Sequence, residues 1–167
     1  MPKGLHHVAY RCADADATID FYTRLVGMPF AHALFNDRVP STQELSPHLH
    51  IFFEMEDGSY LAFFELPLAP PQSMDPNTPD WVQHLALEVA DDEALLSTKA
   101  RLEGAGVEVV GPTDHGFCKS IYFFDPSGHR MELSVRHDSP EAIERFRAEA
   151  PAVLAQWHER KQRGWAN

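Results

Sequence analysis

The sequence predicts an α+β fold made of two βαβββ modules and a C-terminal helix, and three observations support it. The run His7-Val8-Ala9-Tyr10-Arg11-Cys12-Ala13-Asp14 is echoed 77 residues later by His84-Leu85-Ala86-Leu87-Glu88-Val89-Ala90-Asp91, and the same offset carries Gly27 onto Gly104. Each repeat opens on a histidine, and a glutamate follows later, in Phe64-Glu65-Leu66 and in Met131-Glu132-Leu133. After each repeat, helical spacing of apolar residues gives way to strand-like segments. A duplicated unit supplying one imidazole and one carboxylate per copy can assemble a four-ligand metal site inside a curled mixed sheet.

Module 1 is expected at about 4–67, a linker at 68–80 and module 2 at about 81–137. In module 1, residues 5–12 read as a strand and Asp14 as the N-cap of a helix to about Val26. Ile19, Tyr22 and Val26 supply its apolar face, and Gly27 its stop. Strands follow at about 29–35, 48–55 and 59–66, with Asp57-Gly58 as a hairpin turn and 36–47 as a polar loop. The Pro-rich stretch between the modules excludes regular structure. In module 2, Asp91 caps a helix with Leu95, Leu96, Ala100 and Leu102 as its stripe. Strands are expected at about 107–111, 119–125 and 129–136, the last two joined by Asp125-Pro126-Ser127-Gly128. The extension 138–167 starts a helix at Ser139-Pro140-Glu141, with Pro at the first helical position. Its stripe runs through Ile143, Phe146, Val153, Leu154 and Trp157, and Pro151 is expected to kink or restart it.

Strand parity then sorts the polar residues, because successive side chains point to opposite faces. Met131, Leu133 and Val135 share one face, and Arg130, Glu132 and Ser134 the other. Leu85, Leu87 and Val89 likewise oppose His84, and Val8 and Tyr10 oppose His7, which favours His7 over His6. With the apolar face under the helices, His7, His84 and Glu132 project from the opposite one. A carboxylate between apolar neighbours is costly without a partner, and metal ligation relieves that cost. Glu65, just before Leu66-Pro67, is the weaker ligand candidate. His6, His48, His50 and His129 are read as structural.

Composition narrows the partners. A chain of 167 residues carries a real core, and its net charge of −11 argues against nucleic acid. No apolar run approaches a membrane span. Met1-Pro2-Lys3-Gly4 leads straight into a strand with no apolar signal region, so a cytoplasmic protein is expected. Cys12 and Cys118 form no CxxC and read as packing residues.

From about residue 4 to 136 the chain resembles the vicinal oxygen chelate superfamily, which includes glyoxalase I, type I extradiol dioxygenases, fosfomycin-resistance proteins and bleomycin-binding proteins. The most specific segment is Ser120-Ile121-Tyr122-Phe123-Phe124-Asp125-Pro126-Ser127-Gly128-His129-Arg130-Met131-Glu132-Leu133. The resemblance implies paired βαβββ modules around a divalent metal, with His7, His84 and Glu132 as ligands and Glu65 as a fourth that only some branches keep. It further implies that His115 and Tyr122 contact a bound catechol, as in the extradiol enzymes.

Two functions follow from that resemblance. In the leading one, Fe(II) chelates a catecholic substrate and the ring is cleaved with O₂, Tyr122 and His115 acting as donors. In the alternative, Ni²⁺, Zn²⁺ or Mn²⁺ supports a glyoxalase-I-like isomerase or lyase acting on an α-oxo or thiohemiacetal substrate, with Glu65 or Glu132 as base. A non-catalytic, bleomycin-sequestering module is disfavoured by the intact ligand quartet. A homodimer is expected, with a small molecule as substrate.

Overall fold

The computed structural model describes residues 1–73 and 75–163. Module 1 begins with β1 (His7–Cys12) and helix α1 (Ala15–Asp20), followed by β2 (Phe30–Arg38), β3 (Leu45–Glu54) and β4 (Tyr60–Glu65). Module 2 repeats this succession as β5 (Leu85–Glu88), α2 (Asp92–Gly104), β6 (Val110–Asp114), β7 (Cys118–Phe124) and β8 (Arg130–Arg136). The chain continues in α3 (Pro140–Arg163). The two sheets have the same order, β1-β4-β3-β2 and β5-β8-β7-β6, with the outer pairs β1/β4 and β5/β8 parallel. The two βαβββ modules are thus present, and the duplication extends to topology.

Local chemistry sets the helix ends. Asp14 and Asp91 each accept a backbone N–H three residues on, from Ala17 and Ala94, in extended conformations suited to an N-cap. Beyond α1 the coil widens into a π-helical stretch, Phe21–Val26, before Gly27 ends it at φ 92°. The stretch buries Phe21, Tyr22 and Leu25. Ser139 caps α3 through Ala142 N–H, and Pro151 sits within one unbroken helix rather than interrupting it.

Several boundaries differ from the sequence expectation. β2 and β3 extend to Arg38 and back to Leu45, shortening the expected loop 36–47 to residues 39–44. Polar residues are tolerated there because β2 is an edge strand with mostly exposed side chains. β6 starts at Val110 rather than 107, while Val107 and Val109 pack partly against the core. Within β6, Gly111 has φ 105°, and a Cβ there would lie 2.6 Å from the Ser120 carbonyl oxygen, so only glycine fits.

Both sheets turn their apolar faces to one common core. Ile51, Phe53, Leu61 and Phe63 from the first join Ile121, Phe123, Met131 and Leu133 from the second, with Tyr22, Leu25, Leu95 and Leu102 between them. The buried Tyr22 hydroxyl donates to Asp125 across the modules at 3.0 Å. The other Asp125 oxygen accepts the N–H groups of Ser127 and His129, shaping the β7–β8 turn. That turn also meets β1, through His129 Nε2 and the Arg11 carbonyl (2.6 Å) and through Ala13 N–H and the Ser127 hydroxyl (3.1 Å). Arg101 on α2 donates to the Leu25 carbonyl at 3.0 Å. The motif that looked like a simple turn therefore fastens module 2 to module 1.

Two outcomes test this packing. Tyr22→Phe strands a buried Asp125 oxygen and should cost about 1–3 kcal/mol in urea unfolding; an unchanged midpoint contradicts the role. Burial pushes the Cys12 thiol from 9.0 up to about 11. A folded-state value raised in this way contributes stability at low pH that is lost as pH rises from about 9 towards 11. The unfolding midpoint should therefore decline over that window, less steeply in Cys12→Ala.

Candidate metal centre

The face of each sheet turned away from the core carries the chemistry. In module 2, β5 and β8 are parallel with Ala86 opposite Glu132, so His84, just before β5, stands beside the glutamate. His84 Nε2 lies 2.9 Å from Glu132 Oε2. The other carboxylate oxygen accepts the Ser134 hydroxyl at 2.7 Å, and the Tyr122 hydroxyl approaches it at 3.3 Å. Ser120 lies 2.7 Å from Ser134 and so extends the chain of donors. His115 Nε2 is 2.7 Å from the Tyr122 oxygen. When Tyr122 donates to Glu132, its oxygen accepts from His115 Nε2–H, giving a continuous path from an exposed imidazole to a buried carboxylate.

The electrostatics follow from these contacts. Burial pushes the Glu132 carboxyl up, but the hydroxyls of Ser120 and Ser134, with His84 and Tyr122, outweigh it and hold the group below the usual range. Glu132 is thus an anion in a largely enclosed position. Burial, reinforced by the Glu132 charge, raises the Tyr122 phenol, which stays a proton donor. A cavity of about 540 Å³ opens in front of this group, lined by His84, His115, Tyr122 and Glu132 and rimmed by Phe117 and Arg136. The Arg130 guanidinium lies 4.8 Å over the Tyr122 ring.

The donors suit a divalent ion. Two ligands each about 2.1 Å from an octahedral ion at adjacent positions stand about 3 Å apart. The 2.9 Å between His84 Nε2 and Glu132 Oε2 matches that spacing. Glu132 Oε1 is already committed to hydroxyls, so Oε2, beside His84 Nε2, would be the oxygen to hold a divalent ion.

Module 1 presents a different set. His7 is exposed at the start of β1 and shares its face with His50 and Phe52, whose rings lie 6.3 and 6.1 Å away. His50 stacks on Phe64 at 3.6 Å, and its buried Nε2 makes no hydrogen bond. Burial, with the neighbouring imidazoles of His7, His48 and His32, pushes His50 down to about 4, so it is neutral. His50 was set aside in the sequence. Its signal was there in the alternation of His48, His50 and Phe52 against the core residues Leu49, Ile51 and Phe53.

Glu65 does not join either group. On β4 it shares a face with the buried Leu61 and Phe63, and its carboxylate accepts the Ala15 N–H at 3.2 Å, at the start of α1. Val8 pairs with Leu61 just as Leu85 pairs with Met131, so the counterpart of Glu132 is Ala62, not Glu65. The likeness of Phe64-Glu65-Leu66 to Met131-Glu132-Leu133 is out of register by three residues, an odd number that turns the carboxylate to the wrong face. The expectation that Glu65 supplies a ligand is corrected accordingly.

His84, Glu132, Tyr122 and His115 therefore come together, whereas His7 lies on the other module's outer face. Among the described residues, no three His, Cys, Asp or Glu side chains of one chain form a metal-binding group. Residues 4–133 match the family model for the Glyoxalase/Bleomycin resistance protein/Dioxygenase superfamily. The chain belongs to that superfamily.

Relatives within the superfamily carry different activities in their names. One is MhqA of Bacillus subtilis (strain 168), described as a candidate ring-cleaving dioxygenase, 29% identical over 135 residues. The match covers 79% of this chain but only 40% of MhqA, so the chain spans less than half of that relative. Another is a 2-epi-5-epi-valiolone epimerase of an Actinomyces species, 29% identical over 144 residues and covering 77% of each protein. A superfamily domain of known structure from Frankia sp. EAN1pec superposes with a TM-score of 0.67 at 17% identity, covering 82% of this chain and all of the other. No helix of the described residues is long and apolar enough to cross a membrane.

Two substitutions separate ligand from bystander in this superfamily member. Ser134→Ala removes a donor to Glu132 and should lower metal affinity about tenfold in a competitive chelator titration. Glu65→Ala should leave metal content unchanged and cost about 0.5–1 kcal/mol of stability through the α1 N-terminus; loss of metal would restore Glu65 as a ligand.

Proposed function

We propose that the protein is an extradiol-type, Fe(II)-dependent ring-cleaving dioxygenase acting as a homodimer, with His84 and Glu132 completed by His7 of the partner subunit. The observation that carries this reading is the hydrogen-bonded group His115–Tyr122–Glu132 beside His84. Ala62, where a fourth ligand would stand, favours a two-histidine, one-carboxylate set with open positions. Among the described residues of one chain no third ligand joins His84 and Glu132, which favours a second copy as the source of His7. The relationship to MhqA points the same way.

When bound, the ion supplies Lewis acidity towards two adjacent substrate oxygens and the redox chemistry for O₂. The chain's own residues do the rest. Glu132, kept ionised by Ser134 and Ser120, holds negative charge at the centre without a proton of its own. Tyr122 donates towards a substrate oxygen and is replenished through His115, which reaches solvent. Phe117 gives the cavity an aromatic wall on this side. On the module 1 side, His50 is held neutral and its Nε2 is unpaired, so it can accept a hydrogen bond from a catechol hydroxyl, and Phe52 beside it gives an aromatic face.

An isomerase or epimerase is the second reading, supported by the Actinomyces relative that matches along most of its length. With Glu65 facing the core, its proton-transfer group would be Glu132. The test is oxygen uptake by anaerobically purified, Fe(II)-reconstituted protein against a panel of catechols. One O₂ consumed per catechol, with a yellow product and loss of both in His84→Ala, supports ring cleavage. Metal-replete protein that takes up no oxygen from any catechol transfers the site to the second reading.

A further inference from the structure

Strand parity favours His7 over its neighbour His6 and leaves His6 without a role. The structure brings the two together. His6 Nδ1 lies 2.7 Å from His7 Nδ1, and the rings meet edge to face with centroids 5.0 Å apart. β1 begins at His7, so His6 stands just outside the pleat that would send its side chain to the opposite face. Its backbone is nonetheless anchored. The His6 carbonyl accepts the Tyr60 N–H at 3.0 Å, next to the pairing of His7 with Tyr60, and the His6 and Tyr60 rings lie 6.4 Å apart.

The chemistry of imidazole gives this contact a direction. A neutral ring has one N–H and one lone pair, so one Nδ1 donates and the other accepts. If His7 Nε2 holds an ion, the His7 proton must sit on Nδ1. His7 is then the donor, and His6 Nδ1 the acceptor. The rings of His50 and Phe52 stand farther off, with centroids 6.3 and 6.1 Å from that of His7. His6 thus supplies a directional contact to an exposed ring.

We propose that His6 is a positioning residue for His7, accepting its Nδ1–H and so fixing the tautomer whose Nε2 lone pair is free for the metal. This role rests on His7 being a ligand, as in the proposed function. A ligating histidine almost always donates its second N–H to such a partner, which orients the ring and raises its basicity. The duplication supports the assignment. The offset of 77 residues carries His6 onto Gln83, immediately before His84. A glutamine amide oxygen also accepts an imidazole N–H. Each repeat therefore places an acceptor-bearing residue directly before its histidine, and module 2 supplies the conservative substitution for module 1.

The experiment measures Zn²⁺ affinity by competitive chelator titration in full-length wild type, His6→Ala, His6→Gln and His7→Ala at one protein concentration. Ring-nitrogen NMR shifts of the metal-free proteins report the His7 tautomer. Both histidines are exposed, so each variant keeps its core. In the wild type His7 should be the Nδ1–H tautomer. His6→Ala should weaken Zn²⁺ binding about 10–100-fold and mix the His7 tautomers, and His6→Gln should recover most of both. If His6→Ala binds as tightly as wild type with the same tautomer while His7→Ala loses the ion, His6 has no such role and His7 remains a ligand. If His6→Gln fails as badly as His6→Ala with the tautomer unchanged in both, His6 is itself a ligand and the positioning role is overturned. Undiminished binding by His7→Ala overturns the assignment of His7, and the role of His6 with it.

Discussion

The two modules of this protein share one apolar core, and the Asp125 carboxylate fastens the join. Its oxygens take the Tyr22 hydroxyl from module 1 and two backbone N–H groups from the β7–β8 turn. A buried carboxylate is tolerated only when its lone pairs are met, and here every donor comes from an element that the packing must hold in place. His129, the last residue of that turn, then reaches the backbone of β1. The relative placement of the modules is held by several independent contacts.

The two modules differ along matched positions. Glu132 is answered by Ala62, Tyr122 by Phe52, Ser134 by Phe64 and Ser120 by His50. Module 2 has kept the anionic, hydroxyl-rich half and module 1 an imidazole and aromatic half. Such halves are complementary rather than redundant, with acidity and charge on one side and a stacking face on the other, as the proposed aromatic substrate would require.

Much of this was legible in the sequence. The His7/His84 repeat, the caps Asp14 and Asp91 and the parity of β8 led to the observed topology and put His84 and Glu132 on one face. Tyr122 and His115 stand out only through the motif they belong to; Tyr122 reaches the Glu132 carboxylate, and His115 reaches Tyr122. Glu65 misled because a three-residue likeness hid a register shift; its parity with Leu61 and Phe63 was readable and decisive. His50 was passed over because a histidine among aromatic residues looks like packing, and only its unpaired nitrogen beside His7 marks it out. The role of Asp125 was hidden, since its partner Tyr22 is more than a hundred residues away and nothing local distinguishes a turn from a rivet. The exposure of α3 was equally invisible, because an amphipathic stripe does not say which surface covers it.

The central claim is that each metal centre takes His7 from one chain and His84 with Glu132 from another. Co-expressing His7→Ala and Glu132→Ala chains tests it directly. In a mixed dimer one of the two centres receives both defects and the other neither. Each variant alone should therefore bind little metal, whereas the co-expressed pair should recover about one quarter of the wild-type metal content and activity. If the mixture is no better than the separate variants although mixed dimers form, both ligands belong to the same chain and the account fails.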